Sequence, residues 1–299
     1  MMKRLIQIMW QWVMHFWVPL AITVGMLSVA ISFTIVLLVK QQSTVQIPNI
    51  TIRTGAGIKY AEVGVLKRGE HLNILKRSHG WVQVRREDET TGWAPSWLLN
   101  RKTPVKYMGS LSEATVVLDP GHGGSDSGAL SIDQKHFEKN YTLQLAQRVK
   151  TVLEKDYGTH VIMTRSTDQI VYLSKIPKIA EQKQADLFIS FHFDSAPENN
   201  EASGYTAYYY NAGNGSKSLA QNINNVMKPA MPITNKGVEV GDFWVIHHNT
   251  VPAVLLENGY INSAKDFSYI RSAKYQKYIA KKVPMGLQNY LTQAAKSNQ

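Results

Sequence analysis

The sequence predicts an α/β fold, a twisted mixed sheet with helices on both faces, preceded by a small all-β barrel and by one N-terminal transmembrane helix. Three observations lead to this prediction. An apolar run lies near the N-terminus, glycine-punctuated strands follow it, and strand patterns then alternate with helix patterns. The expected division is a tail, anchor and linker over 1–44, the barrel over 45–101, a second linker over 102–113 and the α/β domain over 114–299.

The N-terminal segment contains an uncharged apolar run over residues 17 to 39, WVPLAITVGMLSVAISFTIVLLV. A helix of ~20 residues crosses a hydrocarbon core of ~30 Å, so this run is long enough to span a membrane. Lys3 and Arg4 before it favour a cytoplasmic tail, with the rest of the chain outside. A cleaved signal peptide is the alternative, but the run is long for one and no A-x-A site follows. We therefore expect a single-pass protein of the cell membrane.

Residues 47 to 100 have the pattern of short strands separated by turns: ITIRTGAG, AEVGVLKRGEHLNIL, HGWVQVRR and TGWAPSWLL. Alternating apolar and polar residues with glycine at short spacing are typical of a small all-β barrel. Trp81, Trp93 and Trp97 fall within these strands. Either they belong to the core of the barrel or they form a platform for a ligand.

The remaining chain alternates strands with helices. The strand candidates are compact apolar runs: TVVLD, HVIMT, DLFISFH, GYTAYYY and AVLLE. Residues 137 to 155 repeat apolar side chains at helical spacing, and 216 to 228 and 272 to 292 also have helical patterns. This alternation predicts a sheet covered by helices on both faces.

Composition narrows the classes of function. The chain has a formal net charge of +11 and no cysteine, which excludes disulfides, cysteine metal ligands and a cysteine nucleophile. A basic exterior suits an anionic partner such as a wall polymer or a lipid surface, although ordinary surface charge would give the same total. No stripe of basic and aromatic residues is typical of a nucleic-acid module, so we expect no nucleic-acid partner.

Candidate catalytic residues lie where predicted strands end. His122 follows TVVLD, His192 ends DLFISFH and Glu257 ends AVLLE, while Glu138 begins the long helix. Ligands of open α/β sheets bind beyond the carboxyl ends of the strands. Two histidines and one glutamate form a sufficient ligand set for a catalytic Zn²⁺, and a second carboxylate would carry the proton from water to a leaving nitrogen.

Simpler interpretations remain open for these residues. A lone histidine at a strand end is more often structural, and the short zinc motif H-E-x-x-H is absent. Asp119 and Asp126 are alternative carboxylates, and we expect Asp119 to fix its turn through backbone hydrogen bonds. His247 and His248 would line the cleft if the loop before AVLLE folds over it. The glycines around His122 allow the backbone to turn sharply and to approach a ligand closely, and they give the room that a metal in a polymer-binding cleft needs.

Two resemblances extend this interpretation. The predicted barrel resembles a bacterial SH3 domain, a module that usually binds wall components. The segments that carry this resemblance are IRTGAG, LKRGEHLNIL, GWVQV and TGWAPSWL. The α/β region resembles the zinc-dependent N-acetylmuramoyl-L-alanine amidases of the amidase_3 type. The motifs that carry this resemblance occur in the order of the family: VVLDPGHGGSDSGA, FEKNYTLQLAQRV, VIMTRSTD, ADLFISFHFDSA, NKGVEV and VPAVLLENGYINSAKD. The whole layout resembles membrane-anchored wall amidases of Gram-positive bacteria.

The resemblance implies an activity and a set of roles. His122, Glu138 and His192 would hold Zn²⁺, and Glu257 would act first as general base and then as general acid. The reaction implied is hydrolysis of the amide between the lactyl group of N-acetylmuramic acid and L-alanine of the peptidoglycan stem peptide. Peptidoglycan is then the expected partner. An uncontrolled enzyme of this type would lyse its own cell, so we expect control either by a regulatory membrane protein as partner or by tethering to the membrane.

Departures from the family pattern concern the substrate. Phe193 and Asp194 stand where many members have a small residue and an amide, and His247 stands where relatives show arginine. Asp194 and His247 are therefore the candidate substrate contacts. Two alternatives stay open: an amidase fold that binds wall polymer without cutting it, and a metal peptidase that cuts within the stem peptide.

Overall fold

The structure is a computed structural model, and it describes residues 2–297. The chain begins with the long helix α1, Met2–Lys40, which contains Pro19. Its stretch Met2–Thr34 is the one helix of the described chain that is long and apolar enough to cross a membrane, and none of its most apolar window is buried against the protein. The helix begins well before the apolar run that defined it in the sequence.

The first sheet has six strands in the order β1-β4-β5-β6-β2-β3, all paired antiparallel. Its strands are β1 Gln42–Thr44, β2 Ile50–Arg53, β3 Glu62–Leu66, β4 His71–Ser78, β5 Trp81–Arg85 and β6 Thr91–Pro95, followed by the short helix α2 Ser96–Leu99. Alternate residues such as Ile50 and Ile52 point into one apolar core. Strand β1 joins this sheet although the sequence analysis placed its residues in the linker before the barrel.

The second sheet also has six strands, in the order β11-β10-β12-β9-β7-β8. They are β7 Thr115–Pro120, β8 His160–Met163, β9 Leu187–Asp194, β10 Tyr205–Tyr209, β11 Asn235–Val240 and β12 Ala253–Tyr260. All neighbours are parallel except β10 and β12, so the sheet is mixed, as predicted.

Helices cover both faces of this sheet. They are α3 Glu138–Val152, which continues as a π-helical turn to Tyr157, α4 Ile176–Gln182, α5 Ser216–Met227, α6 Trp244–His247, α7 Ala264–Ile270 and α8 Ala273–Ser297. Val116 and Leu118 of β7 belong to the core beneath α3, α5 and α8, whereas Val117 belongs to the core beneath α4 and α6. This alternation follows from the two-residue period of a strand, and the predicted fold class is confirmed.

The sequence patterns did not reveal every element. Strand β11 and the short helices α4, α6 and α7 were not predicted. Each is at most seven residues long, so it contains too few turns for a helical period to stand out, or it lies at the edge of a sheet with little burial to impose alternation.

The two sheets are joined by polar contacts and by packing. The buried guanidinium of Arg53 in β2 donates to the buried carboxylate of Glu113 over 2.6 Å. Trp97 donates from its indole nitrogen to the carbonyl of Ser112 over 2.9 Å and stacks on the His160 ring at 4.8 Å. Trp97 thus connects the barrel to the α/β domain, which is a structural role.

Candidate active site

Three potential metal ligands meet at the carboxyl edge of the second sheet. His122 follows β7, Glu138 is the first residue of α3 and His192 lies in β9. One ligand atom from each lies within 4.8 Å of the others, and this is a group that could hold a metal ion. The sequence analysis named the same three residues, and the fold brings them together.

Glu138 is the centre of this cluster. Its Oε2 atom lies 3.0 Å from Nε2 of His122, and its Oε1 atom lies 3.0 Å from Nδ1 of His192. The backbone amides of Ala129 and Phe193 also donate to the two carboxylate oxygens, over 2.9 and 3.0 Å. Burial alone would raise the pKa of Glu138, but the hydrogen bonds and charges of the two histidines outweigh it and lower that pKa.

His122 is oriented by a second carboxylate. Its Nδ1 atom lies 2.9 Å from Oδ2 of Asp126, whose Oδ1 accepts from the amide of Gly128 over 3.0 Å. Burial lowers the pKa of His122, but Glu138 and Asp126 outweigh it and raise the pKa to about 9. A carboxylate on the second ring nitrogen fixes the tautomer and orientation of a ligating histidine. Asp126, an alternative carboxylate in the sequence analysis, takes this orienting position.

The glycines of the loop fit closely against the three candidate metal ligands rather than leaving room for a substrate. A Cβ atom on Gly121 would lie 2.2 Å from the His192 ring. One on Gly128, which has a φ of +65°, would lie 2.6 Å from both Glu138 and His122. Only glycine lets the loop backbone approach the three side chains this closely.

Buried polar side chains hold the loop from behind. Arg165, 2% exposed, donates to the carbonyls of Pro120, Gly121 and Lys139 over 3.0, 2.9 and 2.9 Å. Asp119 accepts from the hydroxyls of Thr164 and Ser190 over 2.6 and 2.8 Å. Asp119 therefore ties β7 to its two neighbours through side chains, whereas the sequence analysis expected backbone hydrogen bonds.

Glu257 lies beside the cluster on β12. It is the register neighbour of His192 on the parallel strand β9 and is 7% exposed. Its Oε2 atom is buried and has no hydrogen-bond partner among residues 2–297. Burial raises the pKa of Glu257 well above the usual value for a carboxyl, and the charges of Glu138 and Asp194 raise it further. This unpartnered group is available to a water molecule or a substrate.

Two cavities open at the cluster. The cavity that contains Glu257 has a volume of ≈ 420 Å³ and is also lined by Glu138, His192, Asp194 and Trp244. The other has a volume of ≈ 540 Å³ and runs past His122 and Asp126 along the exposed segment that contains Tyr172. The ligand cluster thus lies in a long cleft rather than in a closed pocket.

The two predicted substrate contacts lie in different places. Asp194 lines the cavity that holds Glu257. His247 is not among the residues that line either cleft cavity. Its Nδ1 atom lies 2.6 Å from Asp242, and its ring stacks on Tyr210 at 3.9 Å. Contact of either residue with substrate stays a prediction.

Sequence reasoning missed several residues that shape the site. Arg165 was present in the quoted motif VIMTRSTD without a role, and Phe243 and Trp244 of the cleft wall were not considered. An arginine directly after a predicted strand and two adjacent aromatic residues before VIHH were the available signals. Neither signal identifies a site until the fold shows what lies beside it.

The cluster could hold a metal ion, and a separate buried carboxyl lies beside it, which is a combination that metal-dependent hydrolases use. A family model described as N-acetylmuramoyl-L-alanine amidase matches residues 116–289, and one described as bacterial SH3 domain matches residues 48–100. The chain belongs to the N-acetylmuramoyl-L-alanine amidase family, and it is a cell wall hydrolase that acts on peptidoglycan.

Curated relatives cover most of the chain. It is 35% identical over 249 residues to the probable cell wall amidase LytH of Staphylococcus epidermidis, covering 82% of each chain. It is 32% identical over 251 residues to LytH of Staphylococcus aureus, again over 82% of each chain.

Solved structures match the α/β domain. The catalytic domain of the amidase CwlV from Bacillus (Paenibacillus) polymyxa has a TM-score of 0.57 and 35% identity, over 60% of this chain and 98% of that one. An amidase from Clostridium difficile 630 has a TM-score of 0.58 and 30% identity, and the match covers 60% of this chain and 97% of that one. The amidase CwlD of Clostridioides difficile was solved in complex with the GerS lipoprotein. It has a TM-score of 0.55 and 27% identity, and the match covers 60% of this chain and 98% of that one.

Proposed function

We propose that this enzyme is zinc-dependent, with His122, Glu138 and His192 as the metal ligands and Glu257 as the catalytic residue. The bond cleaved is the amide between the lactyl group of N-acetylmuramic acid and L-alanine. The observation that carries the proposal is the convergence of the two imidazoles and the carboxylate within 4.8 Å, beside a buried carboxyl that has no partner.

The donor set fits zinc. Two neutral imidazoles and one carboxylate, with further coordination left to water and substrate, are the ligands of several catalytic zinc sites. When bound, the ion would supply Lewis acidity, polarising a carbonyl and lowering the pKa of water. Asp126 supports the fit, since it would hold the His122 tautomer that leaves Nε2 free to ligate.

Glu257 carries the proton in this mechanism. Its carboxylate accepts a proton from the attacking water and, as the neutral carboxyl, returns it to the nitrogen of the departing L-alanine. The raised pKa of Glu257 makes this carboxylate a stronger base for the first step and keeps the proton on the carboxyl until the second. Its position opposite His192 on the neighbouring strand, beside the cluster, supports this role.

The test is digestion of purified peptidoglycan by the full-length protein, with zinc content measured on the same samples. We expect Glu257→Gln to keep its zinc and its melting temperature but to release stem peptides ~10²–10⁴-fold more slowly, the usual contribution of a general acid–base group. Exposed Glu201→Gln is the matched control and should behave as wild type.

Mass spectrometry of the products decides between the alternatives. Free peptides that start at L-alanine, with intact sugar strands, support the amidase reaction. Cuts inside the stem peptide would make the protein a peptidase on an amidase fold. Normal hydrolysis by Glu257→Gln would contradict the proposed role, and binding of the sacculus without any product would favour a module that does not cut.

We also propose that α1 is a retained membrane anchor, with residues 45–101 and 114–299 on the outer side as a wall-binding module and a catalytic domain. The exposed apolar surface of α1 and the cell wall substrate of the family support this arrangement. A signal peptide would instead be removed. We expect the protein in membrane fractions to have its full-length mass. We also expect protease added to protoplasts to digest the catalytic domain. A shortened soluble product would contradict the proposal.

We further propose that Asp194 and His247 contact the substrate.

We also propose that a membrane protein regulates the activity of the enzyme. The complex of CwlD with a lipoprotein supports a partner of this kind. Residues 41–299 in solution should then be less active than the full chain in native membranes. Equal activity of the two would count against a membrane-borne regulator.

A further inference from the structure

A column of four stacked aromatic rings extends from the catalytic cleft over the protein surface. Trp244 stacks on His248 with centroids 3.7 Å apart, His248 stacks on His247 at 4.6 Å and His247 stacks on Tyr210 at 3.9 Å. The planes within each pair are inclined by 28° or less. All four residues are exposed to solvent. We name Trp244, His248, His247 and Tyr210 the aromatic column.

The geometry of α6 builds the column. Residues at positions i, i+3 and i+4 share one helical face, and Trp244, His247 and His248 have this spacing. Val245 and Ile246 between them are 4% and 2% exposed and pack into the core that includes Val117. The helix is therefore anchored by its inner face, and the rings on its outer face are held without being buried.

Trp244 connects the column to two cavities. It lines the cavity of Glu257, and it also lines an adjacent depression of ≈ 290 Å³. His248 forms part of the same depression, while Ser174, Lys178, Glu181 and Thr250 provide polar groups around it. Among residues 2–297, the ring of Trp244 stacks on one other ring, that of His248, so no second ring covers its opposite face.

We propose that the aromatic column and this depression form a subsite for the glycan strand, occupied by an N-acetylated hexosamine next to the muramic acid whose amide is cleaved. The inference deepens the proposed function and rests on it only for the position of the scissile amide. The lactyl group is attached to a sugar ring, so a strand whose lactyl carbonyl reaches Glu257 must pass the walls of that cavity.

The chemistry of the column favours a sugar over an apolar partner. Pyranose rings present C–H groups on their faces to aromatic rings and hydroxyl and acetamido groups at their edges to polar side chains. The depression offers this combination: two rings as a wall, and a hydroxyl-bearing serine and threonine, an ammonium and a carboxylate at the rim.

The test measures binding without turnover. Full-length Glu257→Gln protein in detergent micelles, with zinc present, is titrated calorimetrically with peptide-free glycan strands and, separately, with free stem peptide. We expect Trp244→Leu and His248→Leu each to weaken glycan binding about tenfold and to leave stem-peptide binding unchanged. Trp244→Phe, which keeps a ring, should retain most of the affinity. Tyr107→Leu, at an exposed tyrosine in the segment between the barrel and the α/β domain, is the matched control.

Every result of these titrations either supports the glycan subsite or overturns it. Equal glycan affinity of the Glu257→Gln protein with and without Trp244→Leu would overturn the proposal, because the strand would then bind elsewhere, for example on the barrel. Loss of stem-peptide binding in Trp244→Leu would also overturn it, since the column would then recognise the peptide. A failure of the proposed catalytic mechanism would be visible in the digestion of peptidoglycan and not in these titrations, so the two failures are distinguishable.

Discussion

At the scale of single residues, the conformation of His122 depends on neighbouring residues that are not candidate metal ligands themselves. Its backbone has a φ of +62°, an unusual conformation for a residue other than glycine, and the loop is fixed by Arg165 from below. Strain of this kind persists only where the surrounding structure enforces it. The hydrogen bond from His122 to Asp126 then sets which ring nitrogen faces Glu138.

Asp126→Ala tests this positioning role. We expect zinc affinity to fall by about 10–100-fold, the usual effect of removing a carboxylate behind a ligating histidine. Asp126→Asn should lose less, because its amide oxygen still accepts a hydrogen bond. Competition with a chelator, read out by mass spectrometry of the metal, provides the measurement.

The control for Asp126 is Asp242→Ala, which removes a similar carboxylate–histidine pair, 2.6 Å from His247, outside the ligand cluster. It should leave zinc affinity unchanged. Equal loss in both variants would indicate a general electrostatic effect and contradict positioning by Asp126. Melting temperatures of both variants separate unfolding from weaker metal binding.

At the scale of elements, the site is formed by strand register and by helix packing behind the sheet. Parallel pairing of β9 with β12 sets Glu257 opposite His192, and pairing of β7 with β9 sets Pro120 opposite Phe191. A slip of one residue would move each side chain to the other face. Helices α3, α5 and α8 pack behind these strands and hold the register through the largest apolar core.

Helices α5 and α8 cross at a glycine. A Cβ atom on Gly286 of α8 would lie 2.6 Å from the backbone Cα of Ile223 in α5, and backbone cannot yield as a flexible side chain can. Gly286→Val should therefore lower the free energy of unfolding by about 1–3 kcal/mol, the usual cost of overpacking. Urea unfolding followed by circular dichroism measures it.

The neighbouring Met285→Ala is the control, because Met285 is 41% exposed and its replacement should change the stability by less than about 0.5 kcal/mol. A Gly286→Val protein as stable as wild type would show that the two helices can separate freely. That result would contradict the close crossing of α5 and α8.

At the scale of the whole molecule, the barrel and the α/β domain share a buried ion pair. Arg53 donates to Glu113 over 2.6 Å and also to the carbonyl of Tyr60 over 2.8 Å. Both side chains of the pair are at most 8% exposed. Removing one member of a buried pair leaves the other charge without compensation, whereas replacing both by apolar groups is often tolerated.

A double-mutant cycle tests this pair. Arg53→Met should lower the free energy of unfolding by about 3–5 kcal/mol, the usual effect of breaking a buried pair from one side. The double variant Arg53→Met and Glu113→Leu should recover a large part of that loss. Additive losses in the double variant would contradict a coupled pair. Unfolding in urea, followed with one probe in each sheet, is the measurement.

The sequence by itself determined the elements whose pattern is local and long: α1, the strands β7, β9 and β12, and the helices α3, α5 and α8. It also indicated His122 and His192 as candidates, because a histidine at the carboxyl end of a buried strand lies at an edge of the sheet, whereas Glu138 was indicated by its place at the start of a helix. Short elements such as α6 and β11 left too few residues for a period, and the sequence did not reveal them.

Only the tertiary structure decided which residues act together. The support from Arg165 and the place of Asp119 between strands depend on contacts between segments far apart in the chain. The role of Asp126 depends on the loop that turns it onto His122, four residues away, and the aromatic column depends on the face that a short helix presents. Such contacts follow from strand order and packing, which no local pattern encodes. The loop glycines show the same difference: a glycine permits many conformations, and only its packed neighbours determine which one the protein needs.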